Sequence, residues 1–503
     1  MKKRLQKLAQ AFFILFVVAA FGCITVLTLI IAQGGKITRD GIKETGIIRI
    51  NSEPGDGIKV YVDDEKVSLV DKRIEGLEAG EYVVRIEKEG YLPWEKKVLV
   101  DVGIVKEIYA SLLKEDLELQ QLTNTNIDRV FFAPEGNYAY YVITQSEVTE
   151  ENGVWRLKLS QNTLESIGLV STESEKLSDI NKKIEKAISN SYSIDIAPDN
   201  SKFILKNGSE NLFYVYNISE GELVDIKSPT SLGFIPDRYY WFKNGDSLIA
   251  QTGNNIYEIN LSSNQITLVY NFQETDPVYA VNGRNVIIYA NDSYYVYENE
   301  TRNLLSPKFE LPVPDQLWLS QTSDDLLYVK SGDLLYFSNL KKELVKVGQY
   351  DVLDVAHDGQ NALLSSEDGS IYSFRGELIV AIDKINVSTK LIKKNYNPKS
   401  ESYTFSPDNN YLLERILENG TAKFRLIGLY GENNYDLLET TRHVGMNNFG
   451  LVNGSSEFLI LLKDIVPNIQ TTTGEVSEDN AEAETETQPA TPDANLYKIE
   501  LVD

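Results

Sequence analysis

Imidazole and thiol chemistry is nearly absent from this chain: its 503 residues hold two histidines, His357 and His443, and a single cysteine, Cys23. Each histidine stands alone in sequence. A zinc-protease helix, a Cys/His metal site and most Ser-His-Asp relays therefore have no residues to build on. No Gly-x-Ser-x-Gly elbow, Walker-type phosphate loop or dinucleotide glycine fingerprint occurs either. What remains is carboxylate chemistry, of the kind that hydrolyses glycosides with one acid and one base or nucleophile. Asp and Glu together number 74. Yet Asp199, Asp246, Asp324 and Asp408 fall at turn positions, where a side-chain hydrogen bond closing the turn accounts for them. No sialidase-type Asp box with its following Trp is present. The chain is expected not to be an enzyme, and no catalytic, metal-ligating or cofactor-binding residue is assigned, so the cofactor expectation is none.

Recognition is the other chemistry open to it. The formal net charge of -25 repels polyanions, and beyond residue 10 the Lys and Arg form no basic stripe, so nucleic acid is not an expected partner. Two aromatics beside a turn, Tyr91 and Trp94 in Glu89-Gly90-Tyr91-Leu92-Pro93-Trp94, could stack a sugar or peptide at the surface; the competing reading places them over a small core.

These residues need a scaffold, and composition points to strands. The chain has 29 Tyr and 18 Phe with scattered Gly, which favours β-structure and turns, and its length calls for more than one domain. An all-β fold class is expected for everything outside the N-terminus.

Residues 1–10 carry Lys2, Lys3, Arg4 and Lys7, and Ala11 to Ala32 then runs without a charge. As a helix that run is roughly 33 Å long, enough for a hydrocarbon core. A single transmembrane helix over 11–32 is expected, with a cytoplasmic tail at 1–10 and the bulk outside the cell membrane. Cleavage after a signal peptide is the alternative, but Ala32-Gln33-Gly34 fits a processing site loosely. Gly22-Cys23 fits a lipoprotein site poorly, because the apolar run continues to Ile31.

After a linker at 33–45, residues 46–114 alternate short apolar runs with turn signals, giving about five strands. Ser52-Glu53-Pro54-Gly55-Asp56, Lys59-Val60-Tyr61-Val62-Asp63, Gly76-Leu77-Glu78-Ala79-Gly80-Glu81-Tyr82 and Lys88-Glu89-Gly90-Tyr91 resemble a PEGA domain. The middle, Ser68 to Ile74, lacks that family's Gly-x-Thr-Pro. The resemblance implies a small β-sandwich-like spacer or recognition module of bacterial or archaeal surface proteins, without catalysis.

Residues 115–503 repeat a unit of strand, Pro/Asp/Gly/Asn turn and aromatic strands. Eight such starts are readable, among them Ile194-Asp195-Ile196-Ala197-Pro198-Asp199-Asn200, Asp354-Val355-Ala356-His357-Asp358-Gly359-Gln360 and Tyr403-Thr404-Phe405-Ser406-Pro407-Asp408-Asn409. Strands such as Tyr138 to Ile143 are almost wholly apolar and so must be covered on both faces, which radial packing of sheets achieves without helices. The pattern resembles WD40-like repeats of Tol-type propellers, and an eight-bladed β-propeller is expected, with seven blades as the alternative. The last unit is one strand short, and Leu117 to Leu122 is expected to complete it. Residues 171–189 read as an amphipathic helical insertion, through Leu177, Ile180, Ile184 and Ile188. Residues 467–495 read as a disordered acidic loop. The expected function is binding or scaffolding at the cell envelope, with the propeller face recognising a protein, peptide or cell-wall glycan. A carboxylate-based carbohydrate-active enzyme and a purely structural envelope component are the alternatives.

Overall fold

Alternating apolar residues after Thr45 fold into two small sheets packed face to face. The computed structural model describes residues 13, 15–22, 24, 25, 28, 36–38, 41–43, 45–133, 136–144, 146, 148–159, 174–179, 188, 192–207, 212–218, 222–225, 236–273, 277–305, 307, 309–379, 384–429, 433–445, 448–463 and 494–502. They divide into two units. The first holds residues 1–117 with 430–433 and 501–503, and the second holds 118–429 and 434–500.

In the first unit, Gly46–Glu53, Arg73–Leu77 and Val105–Ser111 form a three-stranded sheet. Lys59–Val62, Glu65–Val67, Gly80–Glu87 and Trp94–Val100 form a four-stranded one. Their inner faces share one core: Ile48, Ile50, Ile74, Ile108 and Ala110 from the first meet Val60, Val62, Val84, Ile86, Val98 and Val100 from the second. Seven strands replace the five expected. The two extra ones, Glu65–Val67 and Arg73–Leu77, are short and rich in charge, and they are strands because they pair with Lys59–Val62 and Gly46–Glu53.

Ahead of these two sheets, residues 13, 15–22, 24, 25 and 28 are helical, and Thr25 and Thr28 donate to the carbonyls of Phe21 and Ile24 at 2.8 and 2.7 Å. Among the described residues no helix is long and apolar enough to cross a membrane, and the other positions of 11–32 lie outside them. The apolar side chains that are described, such as Phe13, Phe16 and Phe21, are exposed.

Among its described residues the second unit shows eight four-stranded antiparallel sheets, seven of them built from consecutive strands. Their first strands are Arg129–Phe132, Ser193–Ile196, Arg238–Phe242, Val278–Val281, Gln316–Leu319, Asp351–Val355, Glu401–Phe405 and Phe449–Val452. The sheets are numbered here in that order. The eighth is completed from the other end of the unit: Leu119–Gln121 pairs with Ala494–Glu500 in the register Leu119↔Ile499 to Gln121↔Tyr497, as its missing strand requires.

Each sheet packs on the next. One cluster joins Tyr140 and Val142 of the first sheet to Phe203 and Leu205 of the second, and others join second to third, third to fourth and so on to Leu363 and Leu412 of the sixth and seventh. Phe424 of the seventh meets Phe449 and Phe458 of the eighth, with ring centroids 5.0 and 5.4 Å apart. Leu459 and Leu461 of the eighth then pack on Ala139 and Tyr141 of the first. The cycle closes, so the sheets form a β-propeller. Second strands are buried on both faces, as in Tyr138–Ile143, Ser247–Thr252 and Glu457–Lys463, which is what their unbroken apolar runs demand.

Two expectations need amendment. Ser174–Asp179, the start of the expected helical insertion 171–189, is the outer strand of the first sheet, paired with Gly153–Lys158. Helical spacing of Leu177 lost to the sheet edge, where the Leu177 carbonyl also accepts the Tyr216 hydroxyl. Ile188 is helical and buried against the first and second sheets, while Ile180 and Ile184 lie outside the described residues. Of the expected loop 467–495, residues 494 and 495 begin the strand Ala494–Glu500, and 464–493 lie outside the described residues.

Candidate functional site

The first strands of the sheets converge. Arg129–Phe132 approaches both Ser193–Ile196 and Phe449–Val452, and Val278–Val281 approaches Gln316–Leu319. These strands form the inner rim of the ring, and several of their side chains stay open to solvent. Arg238, Tyr240, Gln316, Leu353, Asp354 and Thr404 are exposed there, and Asp195 is half-buried. Cation, carboxylate, amide and aromatic ring are thus carried on the first strands of five sheets.

Two rim carboxylates are perturbed. Burial raises the Asp195 carboxyl to about 6, against the opposing effect of Trp241 and Tyr239 on the neighbouring strand. The Trp241 indole nitrogen is buried and falls short of a well-formed hydrogen bond. Asp354 is also raised, by loss of hydration, with the Val355 N–H partly offsetting it. Asp195 and Asp354 belong to the second and sixth sheets, with the third, fourth and fifth between them. They do not share one interface.

A pH test of Asp195 follows. Because its folded-state carboxyl lies above the ordinary 3.8, its contribution to stability is complete below that value and is lost as pH rises through about 6. Asp195→Asn is expected to leave the thermal midpoint unchanged at pH 3.5 and to raise it by about 2–4 °C at pH 7. Calorimetric scans at both pH values check this; an equal shift at both would show that the carboxyl proton is irrelevant.

The turn carboxylates have structural employment. Asp199 accepts from the Ser201 N–H and hydroxyl at 3.0 and 2.8 Å. Asp408 accepts from the Ser406 hydroxyl at 2.6 Å and from the Asn410 amide at 2.6 Å, and across the sheet boundary from the Ser455 hydroxyl at 2.5 Å. Asp324 accepts from the Asn282 amide of the preceding sheet at 3.1 Å. Asp246 contributes its backbone, donating N–H to the Lys243 carbonyl at 3.1 Å. His357 lies in the sixth sheet's turn, and His443 pairs through its backbone with Lys463. Among the described residues no group of three His, Cys, Asp or Glu could hold a metal ion.

Tyr91 and Trp94 are not at the surface. They are 9% and 4% exposed and belong to the core shared by the two small sheets, with the Lys88 ammonium 4.8 Å from the Tyr91 ring centroid. The surface-recognition reading of this pair is therefore corrected: apolar faces at a hairpin of so small a unit are needed inside. The rim residues went unselected by sequence reasoning. One signal was available, since Asp195 and Asp354 both stand two residues before the turn alanines Ala197 and Ala356, in equivalent places of two repeats.

Residues 45–116 match the PEGA domain family, in agreement with the resemblance read over 46–114. No curated protein matches the chain. Among solved structures, the WD40 domain of SCAP from fission yeast is 9% identical, with 78% of this chain and 97% of that one covered and a TM-score of 0.41. A eukaryotic initiation factor is 12% identical over 69% and 84%, TM-score 0.40. Porphyromonas gingivalis dipeptidyl peptidase 4 is 10% identical over 67% and 64%, TM-score 0.37. The propeller assignment rests on strand order and the closed cycle of interfaces.

Proposed function

We propose that this chain is a membrane-anchored, extracytoplasmic binding and scaffolding protein of a bacterial-type cell envelope. In this reading residues 11–32 anchor it by a single pass, the PEGA unit spaces it from the bilayer, and an eight-bladed propeller recognises a protein, a peptide or a cell-wall glycan at its axial rim. The carrying observation is the rim itself, where exposed Arg238, Tyr240, Gln316, Asp354 and Thr404 are held on the first strands of four sheets. Such a surface offers hydrogen bonds of both polarities and an aromatic face on rigid elements, which suits binding. The acidic charge of the whole chain argues against nucleic acid as the occupant.

A ligand that binds only the folded ring stabilises it by about 2.7 kcal/mol at a hundredfold excess over its dissociation constant. A thermal-shift screen with peptides, wall glycan fragments and envelope extracts is therefore expected to yield a class that raises the midpoint, and Tyr240→Ala with Arg238→Ala to abolish that rise. A screen in which no class shifts the wild-type chain sinks the reading and favours a purely structural envelope component.

The raised carboxyls of Asp195 and Asp354 favour one second reading, a carbohydrate-active enzyme using carboxylates. Their placement on the second and sixth sheets disfavours a concerted pair. Release of reducing sugar from wall glycan, lost in both Asp195→Asn and Asp354→Asn, would establish it.

A further inference from the structure

The PEGA unit ends in an apolar wedge on the side where the chain comes in from residue 45. Gly46–Glu53 and Val105–Ser111 are parallel neighbours, so the chain comes in at Gly46 and leaves past Ser111 at opposite ends of the unit. The turn at 101–104 lies against the incoming chain: the Gly103 N–H donates to the Thr45 carbonyl and the Ile47 N–H to the Ile104 carbonyl, both at 3.1 Å. Around that turn three apolar side chains stand in solvent, Leu99 at 61%, Val102 at 41% and Val105 at 46% exposure. Leu99 points away from the four-stranded sheet, since its neighbours Val98 and Val100 are in the core; Val105 points away from the three-stranded one, whose Ile108 and Ala110 are in the core. Val102 sits between them. A partner docked on one face would cover one of the three, whereas a medium that surrounds the tip covers all of them.

The leash to residue 32 is short. Lys36–Thr38 and Gly41–Lys43 form an antiparallel pair that brings Lys43 back beside Lys36. Chain reach then limits Gly46 to about 30 Å from Ala32, counting extended residues on either side of one paired step. If residues 11–32 cross the bilayer, that short leash keeps the turn at 101–104 within reach of the headgroups. We infer that Leu99, Val102 and Val105 dip into the bilayer surface as a second, shallow contact that orients the PEGA unit upright. The exposed acids Glu78, Glu81 and Asp101 near the same end resist deeper burial and stop it at headgroup depth.

This rests on the anchor reading, and the test separates the two. The full chain with Cys23→Ser, carrying an environment-sensitive fluorophore on Val102→Cys, is reconstituted into phosphatidylcholine vesicles and challenged with lipid-borne quenchers. The same label on Asp56→Cys, at the opposite end of the unit, is the reference. A blue-shifted emission and at least twofold stronger quenching at Val102 than at Asp56 support the inference. Equal emission and quenching at the two sites, in chains that resist alkaline carbonate extraction, overturn the wedge alone. Chains that alkaline carbonate releases overturn the anchor and the wedge together.

Discussion

Replacing residues 115–123 by a Gly/Ser tether of equal length is expected to lower the thermal midpoint of the ring by about 5–10 °C, the result of losing on the order of 3–5 kcal/mol. The eighth sheet depends on this segment for its outer strand. Leu119, Gln120 and Gln121 pair with Ile499, Lys498 and Tyr497. The Leu122 N–H donates to the Leu496 carbonyl at 2.8 Å, and the Thr123 hydroxyl accepts from the Leu496 N–H at 3.0 Å. Leu122 also packs on the cluster that joins the eighth sheet to the first. Both ends of the ring meet here, so the loss is not confined to one strand: freeing it lets the eighth sheet peel from the first and opens the cycle. The tether keeps the covalent connection to the PEGA unit, which isolates pairing from linkage. A peptide of sequence 115–125 added in trans should recover part of the midpoint. An unchanged midpoint in the tethered chain would show that the ring closes without this strand.

That closure was legible because it is a matter of counting: a unit ending at Leu496 to Val502 lacks a strand, and Leu117 to Leu122 alternates as one. The ring was legible for a related reason, since unbroken apolar runs such as Tyr138–Ile143 need cover on both faces whatever the details of the fold. The helix expected from Leu177 was not a failure of periodicity. Spacing of three and four residues is compatible with an edge strand when the neighbouring strand supplies hydrogen-bonding partners, and sequence alone does not reveal that Gly153–Lys158 stands ready. Tyr91 and Trp94 show the same limit from the other side. A turn predicts where the backbone bends but not which way the rings point, and the small sandwich takes both inward because its core has few other large side chains. The axial rim was the hardest part to see. Its members come from five strands spread over more than two hundred residues, and only the closed ring of sheets makes Arg238, Tyr240 and Asp354 part of one rim.

Phe374→Ala is expected to destabilise the ring by about 3–5 kcal/mol, read as a lower urea midpoint with an unchanged slope. Phe374 is 1% exposed on the third strand of the sixth sheet and faces Phe337 and Tyr328 of the fifth, with centroids 5.2 and 5.6 Å away. The Tyr328 hydroxyl, buried between the sheets, donates to the Gly359 carbonyl at 2.9 Å, so the aromatic cluster also pins the sixth sheet's turn. Nothing nearby can refill the space cheaply, because backbone is already at van der Waals limits: a Cβ on Gly376 would lie 2.2 Å from Phe337, and one on Gly359 would lie 2.2 Å from Ser320. The sharper measurement is a double-mutant cycle with Phe337→Ala. Residues on different sheets couple only if those sheets meet face to face, and two packed rings are expected to show about 0.5–1.5 kcal/mol of interaction. Strict additivity of the two losses would separate the fifth sheet from the sixth. It would therefore contradict radial stacking at this interface, even if each single variant lost as much stability as expected.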